Sequence, residues 1–388
     1  MQKTLVMNAG SSSVKYALFD GALRQVMSGS ATEIGGAALL KIGDAARSMA
    51  LPDHRAAVAA CLDALAAAGH DTQTLTAAAH RVVHGGVQFV APCRITPDVL
   101  AGIEACVPLA PLHNPANLAA IKALAEIAPD LPQFASFDTA FHAFMPDVAA
   151  RYALPPQAEA LGIRRYGFHG ISYASLVQAM AQKGPLPRRL LALHLGNGAS
   201  LCAILDGVSV ATTMGFSPLE GLTMGTRAGN IDGNAVLRLA EVYGIDGAAR
   251  ILNRESGLLG LGGASDMRAL SEAGTARATF ARRHFAAAVI RHAGAMIAEM
   301  GGIDALAFTG GIGENDAAIR AQIMAGFGFV GLSVDAGANR AGAEKLHDSR
   351  SLVAAWVIPA AEERRIAEEA LTVLQAEETS MRAGGTGA

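Results

Sequence analysis

Two apolar runs of strand length, separated by small polar residues, lie near the start of the chain. The first run begins at Leu5 and enters a loop from Asn8 to Ser13, and the second leaves the loop and ends at Asp20. This pattern predicts a β-hairpin. Its turn contains three consecutive serines, and Lys15 follows closely. Small side chains let backbone N–H groups approach a phosphate, so one interpretation is an anion-binding turn, and the other is an ordinary hairpin with a polar turn.

The same pattern returns half a chain later, between Leu191 and Gly207, where a glycine-rich polar loop again separates two apolar runs. The offset between the hairpins is 194 − 8 = 186 residues, counted from Asn8 to His194. Two such hairpins predict an α/β chain with two similar domains, each beginning with a hairpin whose turn faces a phosphate. This plan resembles the duplicated ribonuclease H-like fold of actin, sugar kinases and heat-shock chaperone ATPases, whose domains flank a nucleotide cleft.

Further apolar runs predict strands that end in polar residues. The predicted strands Ala77 to Val83 and Gln133 to Phe137 are followed by candidate site residues, including Asp138. Ligands in α/β folds bind at the carboxyl ends of strands, which favours these positions. A polar loop from Thr212 to Gly233 is long enough to indicate a function, and it holds a single arginine, Arg227.

The remaining segments follow helical spacing or are rich in glycine. One predicted helix begins after an N-cap at Asp53, and others cover residues 97–106, 114–128, 280–300 and 361–376. A strand from Ile303 to Phe308 precedes the glycine-rich segment Thr309 to Asn315, an order typical of nucleotide-binding turns, although neither a Walker A nor a GxGxxG motif is present. Residues from Thr379 onward are rich in Gly, Ser and Thr and are predicted to be disordered.

Composition narrows the class of protein. At 388 residues the chain is too long for one compact core, and 51% hydrophobic and 17% charged residues are typical of a globular enzyme. A net charge of −3 without a basic tract gives no reason to expect nucleic acid as a partner. No apolar run approaches the ~18 residues of a membrane span, and there is no signal-peptide pattern. Four scattered cysteines argue against a zinc site or a disulfide framework, so we expect a cytoplasmic protein.

A series of motifs resembles the acetate kinase family. In chain order they are NAGSSSVKY, HRVVHGG, PLHNPAN, FDTAFH, RRYGFHG, HLGNGAS, MGFSPLEGLTMGTRAGNID, SDMR and TGGIGEN, and the resemblance extends from Met1 to about Ala376. It implies a homodimer that uses Mg²⁺, with Mn²⁺ as a substitute, to transfer the γ-phosphoryl of ATP directly and reversibly to acetate, giving acetyl phosphate and ADP. We expect one domain at residues 1–139, completed by a helix at 363–378, a nucleotide-binding domain at 140–362 and a disordered tail at 379–388.

The resemblance also implies roles for individual residues. It implies that Asp138, His169 and Arg227 are catalytic and that Asn8 and Glu362 lie at the metal. The residues implied to bind acetate are Arg81, Val83, Leu112, Phe168 and Pro218, the last four around the methyl group. The residues implied to bind ATP are Ser11, Lys15, His194, Leu195, Gly196, Asn197, Gly198, Asp266, Met267, Arg268, Gly310, Gly311, Ile312, Gly313 and Glu314.

One departure from the family pattern concerns the metal site. The family usually has Pro-Thr-Asn-Glu-Glu where this chain has Pro359-Ala360-Ala361-Glu362-Glu363. Both glutamates are kept and two polar neighbours are lost. The hydrogen bonding around Glu362 is therefore open at this point.

The residue types suit phosphoryl transfer to a carboxylate, because both reactants are anions and the site must hold fixed cations. Acetate is already ionised at pH 7, so we expect Asp138 to organise the metal site rather than to act as a general base. Each of three site residues also has a purely structural alternative to a role in binding or catalysis. The alternatives are a buried ion pair for Arg81, a helix cap for Asp138 and a solvated charge for Arg227. His80 and His84 lie on a predicted strand, and we expect structural roles for them.

Val83 indicates which acid is used. It follows Arg81 by two residues on a predicted strand, so both side chains face the same side, and the branched valine limits the carbon tail. This favours acetate, with a propionate or other short-chain carboxylate kinase as the alternative. An ATP-hydrolysing sensor or binding module on the same fold is less favoured, because it gives no reason for Arg81, Asp138, His169 and Arg227 to occur together.

Overall fold

The computed structural model describes residues 2–43 and 45–384. The chain divides into two compact units, one formed by Met1–Ala143 with Ala361–Ala388 and the other by Phe144–Ala360. The boundaries expected from the sequence are 139/140 and 362/363. Within the described residues, no helix combines the length and the apolar character needed to cross a membrane.

The first unit is built on an eight-stranded sheet with strand order β5-β4-β3-β2-β1-β6-β8-β7. Its strands are β1 Lys3–Gly10, β2 Ser13–Asp20, β3 Gln25–Thr32, β4 Leu39–Ile42, β5 Ala45–Ser48, β6 Ala77–Val82, β7 Cys93–Arg94 and β8 Gln133–Phe137. Its helices are α1 His54–Ala67, α2 Pro97–Ala105, α3 Asn114–Ile127 and the C-terminal α14 Glu362–Gly384. The helix at Asp53 is confirmed, since the Asp53 carboxylate accepts the backbone N–H of Ala56 at 2.8 Å.

The central strands of this sheet are buried. Residues Thr4 to Met7 of β1 and all of β8 are buried, as expected for strands covered on both faces. Helices α3 and α14 both pack on β1 and β6. Because β6 pairs in parallel with both β1 and β8, the carboxyl ends of the three strands meet at one edge of the sheet.

The second unit is built on a five-stranded sheet with strand order β11-β10-β9-β12-β13. Its strands are β9 Arg189–Leu195, β10 Ala199–Leu205, β11 Val208–Thr212, β12 Ala305–Thr309 and β13 Ala354–Val357. Its helices are α4 Asp147–Ala150, α5 Pro156–Glu159, α6 Gly170–Ala181, α7 Gly233–Arg250, α8 Gly257–Gly262, α9 Met267–Ala273, α10 Ala276–Glu299, α11 Gly310–Asn315, α12 Ala317–Ala325 and α13 Ala336–Arg340. A π-helical segment, Ile251–Glu255, follows α7.

Both units share one sheet topology, which confirms the predicted duplication. In each, three consecutive antiparallel strands are followed by two parallel ones, β3-β2-β1-β6-β8 in the first unit and β11-β10-β9-β12-β13 in the second. The fold is therefore an α/β fold in which one sheet order occurs twice, as in the plan that the two hairpins predict.

The hairpin turns are tighter than the sequence indicates. Gly10 pairs with Ser13, so the first turn contains only two residues, and Asn8 is a strand residue rather than a loop residue. Leu195 pairs with Ala199, so the second turn contains three residues. Because the second turn is one residue longer than the first, a constant offset of 186 residues between equivalent positions cannot hold along both strands of the two hairpins. Composition alone predicts loops for these polar residues, because it does not show how far a ladder of backbone hydrogen bonds extends.

The C-terminal region also differs from its prediction. Helix α14 continues to Gly384, so the predicted disorder is wrong for residues 379–384, and residues 385–388 lie outside the described part of the chain. The Thr379 hydroxyl donates to the Gln375 carbonyl within this helix at 2.8 Å. The glycine-rich segment after β12 is not a loop either, because α11 begins directly at Gly310.

A buried histidine joins β6 to β8. His80 is 2% exposed, and its Nε2 donates a hydrogen bond of 2.7 Å to the Gln133 Oε1 on β8. Burial lowers the pKa of His80 to about 4, and the bond to Gln133 only partly opposes this shift. His80 therefore has the structural role that the sequence predicts.

The lowered pKa of His80 predicts an acid-sensitive contribution to stability. The unfolded chain binds a proton on this ring near pH 6.5 and the folded chain near pH 4, so stability falls as the pH decreases across that window. Replacing His80 with Asn should remove about 3 kcal/mol of this pH dependence. Urea unfolding at pH 7 and pH 4 measures the difference, and His70→Asn, a partly exposed position, is the control. An equally steep loss of stability in both variants would contradict the prediction.

Candidate functional site

Three polar side chains meet where β1, β6 and β8 of the first unit end. Arg81 Nε donates to Asp138 Oδ1 at 3.0 Å, and Arg81 Nη2 donates to Asp138 Oδ2 at 2.5 Å. A longer contact of 3.4 Å joins Arg81 Nη1 to Asn8 Oδ1. The bidentate geometry fixes the plane of the guanidinium. Asp138 is also held through its backbone N–H, which donates to the Val82 carbonyl at 3.0 Å.

The ion pair considered for Arg81 is therefore present. Burial alone lowers the pKa of the Arg81 guanidinium, but the charge and hydrogen bonds of Asp138, with Glu362 and Glu363, outweigh it and raise the pKa. The Arg81 side chain nevertheless keeps 22% exposure, against 3% for Asp138. A guanidinium has five N–H donors, of which Asp138 and Asn8 account for three, so Arg81 retains capacity for an anionic ligand. Asp138 is not the cap of the helical turn that follows, since Thr139 occupies the N-cap position of the 3₁₀ helix Ala140–His142.

Two asparagines of α3 hold the segment that follows β6. Asn114 Oδ1 accepts the His84 backbone N–H at 3.1 Å, and Asn114 Nδ2 donates to the His84 carbonyl at 3.0 Å. Asn117 Oδ1 accepts the Val83 N–H, and Asn117 Nδ2 donates to the Ala9 carbonyl at 2.7 Å. Both amides are buried. The motif PLHNPAN does not by itself predict this role, and the signal that could have indicated it is two asparagines three residues apart on a helix.

Glu362, the first residue of α14, completes the acidic part of this cluster. Burial raises the pKa of the Glu362 carboxyl, and the negative charges of Asp138 and Glu363 raise it further. The positive charges of Arg81 and Lys15 lower this pKa but do not outweigh the increase. Amide and carboxylate oxygens from Asn8, Asp138 and Glu362 are the donor types that Mg²⁺ prefers. No group of three or more His, Cys, Asp or Glu side chains in the described chain is placed to hold a metal by itself. Mg²⁺ in phosphate-transfer sites uses one or two carboxylates plus phosphate oxygens, which this donor set fits.

In the second unit, two histidines stack at the start of α6. The rings of His169 and His194 lie 4.1 Å apart and 21° from parallel. His169 Nδ1 lies 2.9 Å from Ser200 Oγ, and His194 Nδ1 lies 2.8 Å from Ser172 Oγ. His169 occupies the N-cap position with the left-handed values φ 60° and ψ 21°, which are uncommon for residues other than glycine.

The three-residue turn after β9 lies beside these histidines. A Cβ atom at Gly198 would lie 3.2 Å from His169 Nε2 and 3.5 Å from Arg227 Nη2. Only glycine leaves this space between the two side chains open. Arg227 Nη1 donates to the Pro218 carbonyl at 2.6 Å, and Arg227 is half-buried, so it is not a solvated surface charge. The predicted catalytic residues His169 and Arg227 are thus brought together at Gly198.

The long loop from Thr212 to Gly233 is held by one further arginine. Arg165 Nη1 donates to the Thr213 and Met214 carbonyls at 3.1 and 3.0 Å, and Arg165 Nη2 binds Glu220 Oε1 at 2.6 Å. The Tyr152 hydroxyl also binds Glu220. Sequence reasoning did not assign Arg165, because its partners lie on a different segment of the chain.

A cavity of about 600 Å³ in the second unit gathers many of the predicted ATP-binding residues. Of these, the lining includes Gly196, Asn197, Asp266, Met267, Arg268, Gly311 and Ile312. Sequence reasoning missed Arg282 and Asp316, which also line it and form an ion pair of 2.9 Å with side-chain exposures of 11% and 18%. Arg282 also donates to the Met267 carbonyl at 2.9 Å. The polar lining and these fixed charges suit a nucleotide.

The other predicted ATP-binding residues of α11 do not line this cavity but lie next to its lining residues Gly311 and Ile312 in the chain. They are Gly310, Gly313 and Glu314. Gly310 has φ +78°, and a Cβ there would lie 2.8 Å from the Leu195 carbonyl oxygen. Glu314 Oε1 accepts the backbone N–H groups of Gly310 and Ala360, each at 3.0 Å. The side chain lost at Ala360 therefore does not remove this backbone hydrogen bond. The fully buried Arg320 donates to the Gly313 and Glu314 carbonyls at 2.9 and 2.7 Å.

The predicted apolar substrate residues differ in exposure. In the first unit Val83 is 7% exposed, and Leu112 is 45% exposed. Val83 lies one residue beyond the end of β6 rather than on the strand as predicted. In the second unit Phe168 is 2% exposed, and Pro218 is half-buried. Their joint role stays a prediction.

Comparisons with known proteins agree over almost the whole chain. The family model described as the Acetokinase family matches residues 3–368. The acetate kinase of Deinococcus deserti is 45% identical over 394 residues, which cover 96% of this chain and 98% of that protein. The acetate kinase of Streptomyces griseus is 42% identical over 396 residues, 96% of each chain.

Solved structures give the same result. The acetate kinase of Porphyromonas gingivalis superposes with a TM-score of 0.90 at 36% identity, covering 96% of this chain and all of that one. A propionate kinase from Francisella tularensis superposes with a TM-score of 0.91 at 36% identity and the same coverage. These structures therefore do not by themselves distinguish the two acids.

Proposed function

This chain belongs to the acetokinase family, and we propose that it is an acetate kinase, a phosphotransferase with a carboxyl group as acceptor. It transfers the γ-phosphoryl of ATP to acetate, reversibly, giving acetyl phosphate and ADP. The observation that carries the proposal is the family match over residues 3–368, which includes every residue proposed for the reaction.

In the first unit, Arg81 is proposed to bind the acetate carboxylate with the N–H groups that Asp138 leaves available. Acetate is ionised at neutral pH, so its attack requires no proton acceptor. The role of Asp138 is then to orient the guanidinium through its two hydrogen bonds and to offset part of the positive charge. Asn8, Asp138 and Glu362 would hold Mg²⁺, or Mn²⁺ in its place, and Lys15 and Ser11 would contact ATP phosphates. The bound cation neutralises charge on the phosphates.

In the second unit, His169 and Arg227 are proposed to donate hydrogen bonds to the transferring phosphoryl oxygens, where negative charge is spread in the transition state. The backbone of the turn Gly196–Gly198 would approach the phosphates, since it carries no bulky side chain. The cavity lined by Asp266, Met267 and Arg268 would take the adenosine, with α11 forming another wall.

A cytoplasmic homodimer completes the proposal. Helix α7 exposes several large apolar side chains, including 63% of Leu237, 57% of Tyr243 and 81% of Ile245, which supports a subunit contact there. The four cysteines, all within the described residues, form no disulfide with one another, which suits a reducing compartment.

The test of the function is acid-dependent formation of acyl phosphate. Purified protein with ATP and Mg²⁺ is given acetate, propionate or butyrate, and hydroxylamine traps the product. We expect hydroxamate from acetate with the highest kcat/KM. ATP turnover that is independent of any acid would instead favour an ATP-hydrolysing module. A higher kcat/KM for propionate than for acetate would mean that propionate is the preferred substrate.

Arg227 provides a prediction about transition-state stabilisation. Arg227→Ala should lower kcat on the order of 10²–10³-fold with little change in the KM for ATP, because an oriented donor acts mainly on charge that develops in the transition state. Arg227→Lys, which keeps the charge but not the planar fork, should recover only part of the rate. Near-normal kcat with a raised KM in Arg227→Ala would rule out this role.

Val83 provides a prediction about the choice of acid. Val83→Ala should raise kcat/KM for propionate relative to acetate by about 10–200-fold, mainly through the KM for propionate, since one methylene is worth about 1–3 kcal/mol in a pocket. Val82→Ala removes the same atoms from the preceding residue, whose side chain belongs to the apolar core cluster with Phe89 and Ile103. It should leave the ratio unchanged. A ratio that moves equally in both variants would mean that Val83 does not bound the pocket.

A further inference from the structure

A chain of hydrogen bonds leads from His169 into the interior of the second unit. His169 Nδ1 lies 2.9 Å from Ser200 Oγ, and the Tyr173 hydroxyl lies 2.5 Å from the same oxygen. Ser200 and Tyr173 are both 0% exposed. The Tyr173 backbone N–H donates to the His169 carbonyl at 3.0 Å, one helical turn away on α6. Tyr173 lies on α6, His169 is the N-cap of that helix, and Ser200 lies on β10. Regular secondary structure therefore positions all three side chains.

Either hydroxyl can donate in the bond between Tyr173 and Ser200. A phenol is a stronger acid than an aliphatic alcohol, which favours the arrangement in which the Tyr173 hydroxyl donates and Ser200 Oγ accepts. In this arrangement the single Ser200 proton is directed to His169 Nδ1. A neutral imidazole carries a proton on one nitrogen only, so an Nδ1 that accepts from Ser200 leaves the ring proton on Nε2.

The opposite side of the His169 ring faces the glycine turn, as the position of Nε2 beside Gly198 shows. We infer that Ser200 and Tyr173 are positioning residues that hold His169 with its proton on Nε2, as a donor toward the transferring phosphoryl group. The inference rests on the proposed function, in which His169 stabilises the transition state.

The groups that face His169 make this tautomer important. The Arg227 guanidinium lies on the Nε2 side, beside Gly198, and the His194 ring stacks at 4.1 Å. An anionic oxygen placed beside Gly198 would therefore meet both the Arg227 guanidinium and His169 Nε2. In the other neutral tautomer, Nε2 would present a lone pair to an anionic oxygen. Donation from Tyr173 through Ser200 to Nδ1 disfavours that arrangement.

The test is the protonation pattern of the ring nitrogens in full-length protein labelled with ¹⁵N-histidine. Long-range ¹H–¹⁵N spectra distinguish protonated from unprotonated ring nitrogens, and His169→Gln identifies the signals of this residue. In the wild type, at a pH where the ring is neutral, we expect unprotonated Nδ1 and protonated Nε2. Ser200→Ala should give mixed tautomers and lower kcat about three- to tenfold, the effect of one hydrogen bond, with smaller changes in KM. Tyr173→Phe should give an intermediate pattern.

Two further serine variants separate positioning from general damage to the fold. Ser200→Thr keeps the hydroxyl and should restore the Nε2 proton and most of the lost kcat. Ser209→Ala is the matched control, because Ser209 is also a fully buried serine of the same sheet but bonds Cys202, and it should change neither measurement. A wild-type proton on Nδ1, or an unchanged His169 pattern in Ser200→Ala, would overturn the inference. The spectra do not depend on turnover. A wild type with protonated Nε2 and no acid-dependent activity would therefore contradict the proposed function and leave the tautomer assignment standing.

Discussion

Parallel pairing of three strands is the constraint on which the site of the first unit depends. Because β6 pairs in parallel with both β1 and β8, the ends of these strands reach one sheet edge, and Asn8, Arg81 and Asp138 meet there despite their separation along the chain. Backbone hydrogen bonds make this pairing, and the buried Asn114 and Asn117 then hold the segment after β6 in place. The position of the guanidinium is thus a consequence of sheet register.

Most of the charged and polar site groups are bound to protein atoms that orient them. Asp138 holds Arg81, the Pro218 carbonyl holds Arg227, and two backbone N–H groups hold Glu314. Donors that are already oriented need no reorganisation when charge develops on a phosphoryl group, which is the physical basis of electrostatic catalysis. In the first unit a carboxylate thus fixes where a cation points, as Asp138 does for Arg81.

The duplicated fold repeats the backbone topology but not the side-chain chemistry. The first hairpin turn has two serines, while the second has three residues, Gly196 to Gly198, and is flanked by a stacked histidine pair. One sheet order therefore supports a carboxylate-rich edge in one unit and a histidine–arginine cluster in the other. The chemistry depends on the few residues at the strand ends, which the ladder of backbone bonds does not restrict.

The sequence by itself determined the features that depend on nearby residues and on motifs. Apolar periodicity and caps located the strand Gln133 to Phe137, the helix after Asp53 and the long loop that carries Arg227, and the ordered motifs indicated the family. Only the tertiary structure decided which polar groups meet. The bonds of Arg81 to Asp138 and of His169 to Ser200, and the place of Arg282 in the nucleotide-sized cavity, join residues far apart in the chain. Their geometry depends on strand register and helix packing, which arise from the whole chain and not from any local pattern of residues.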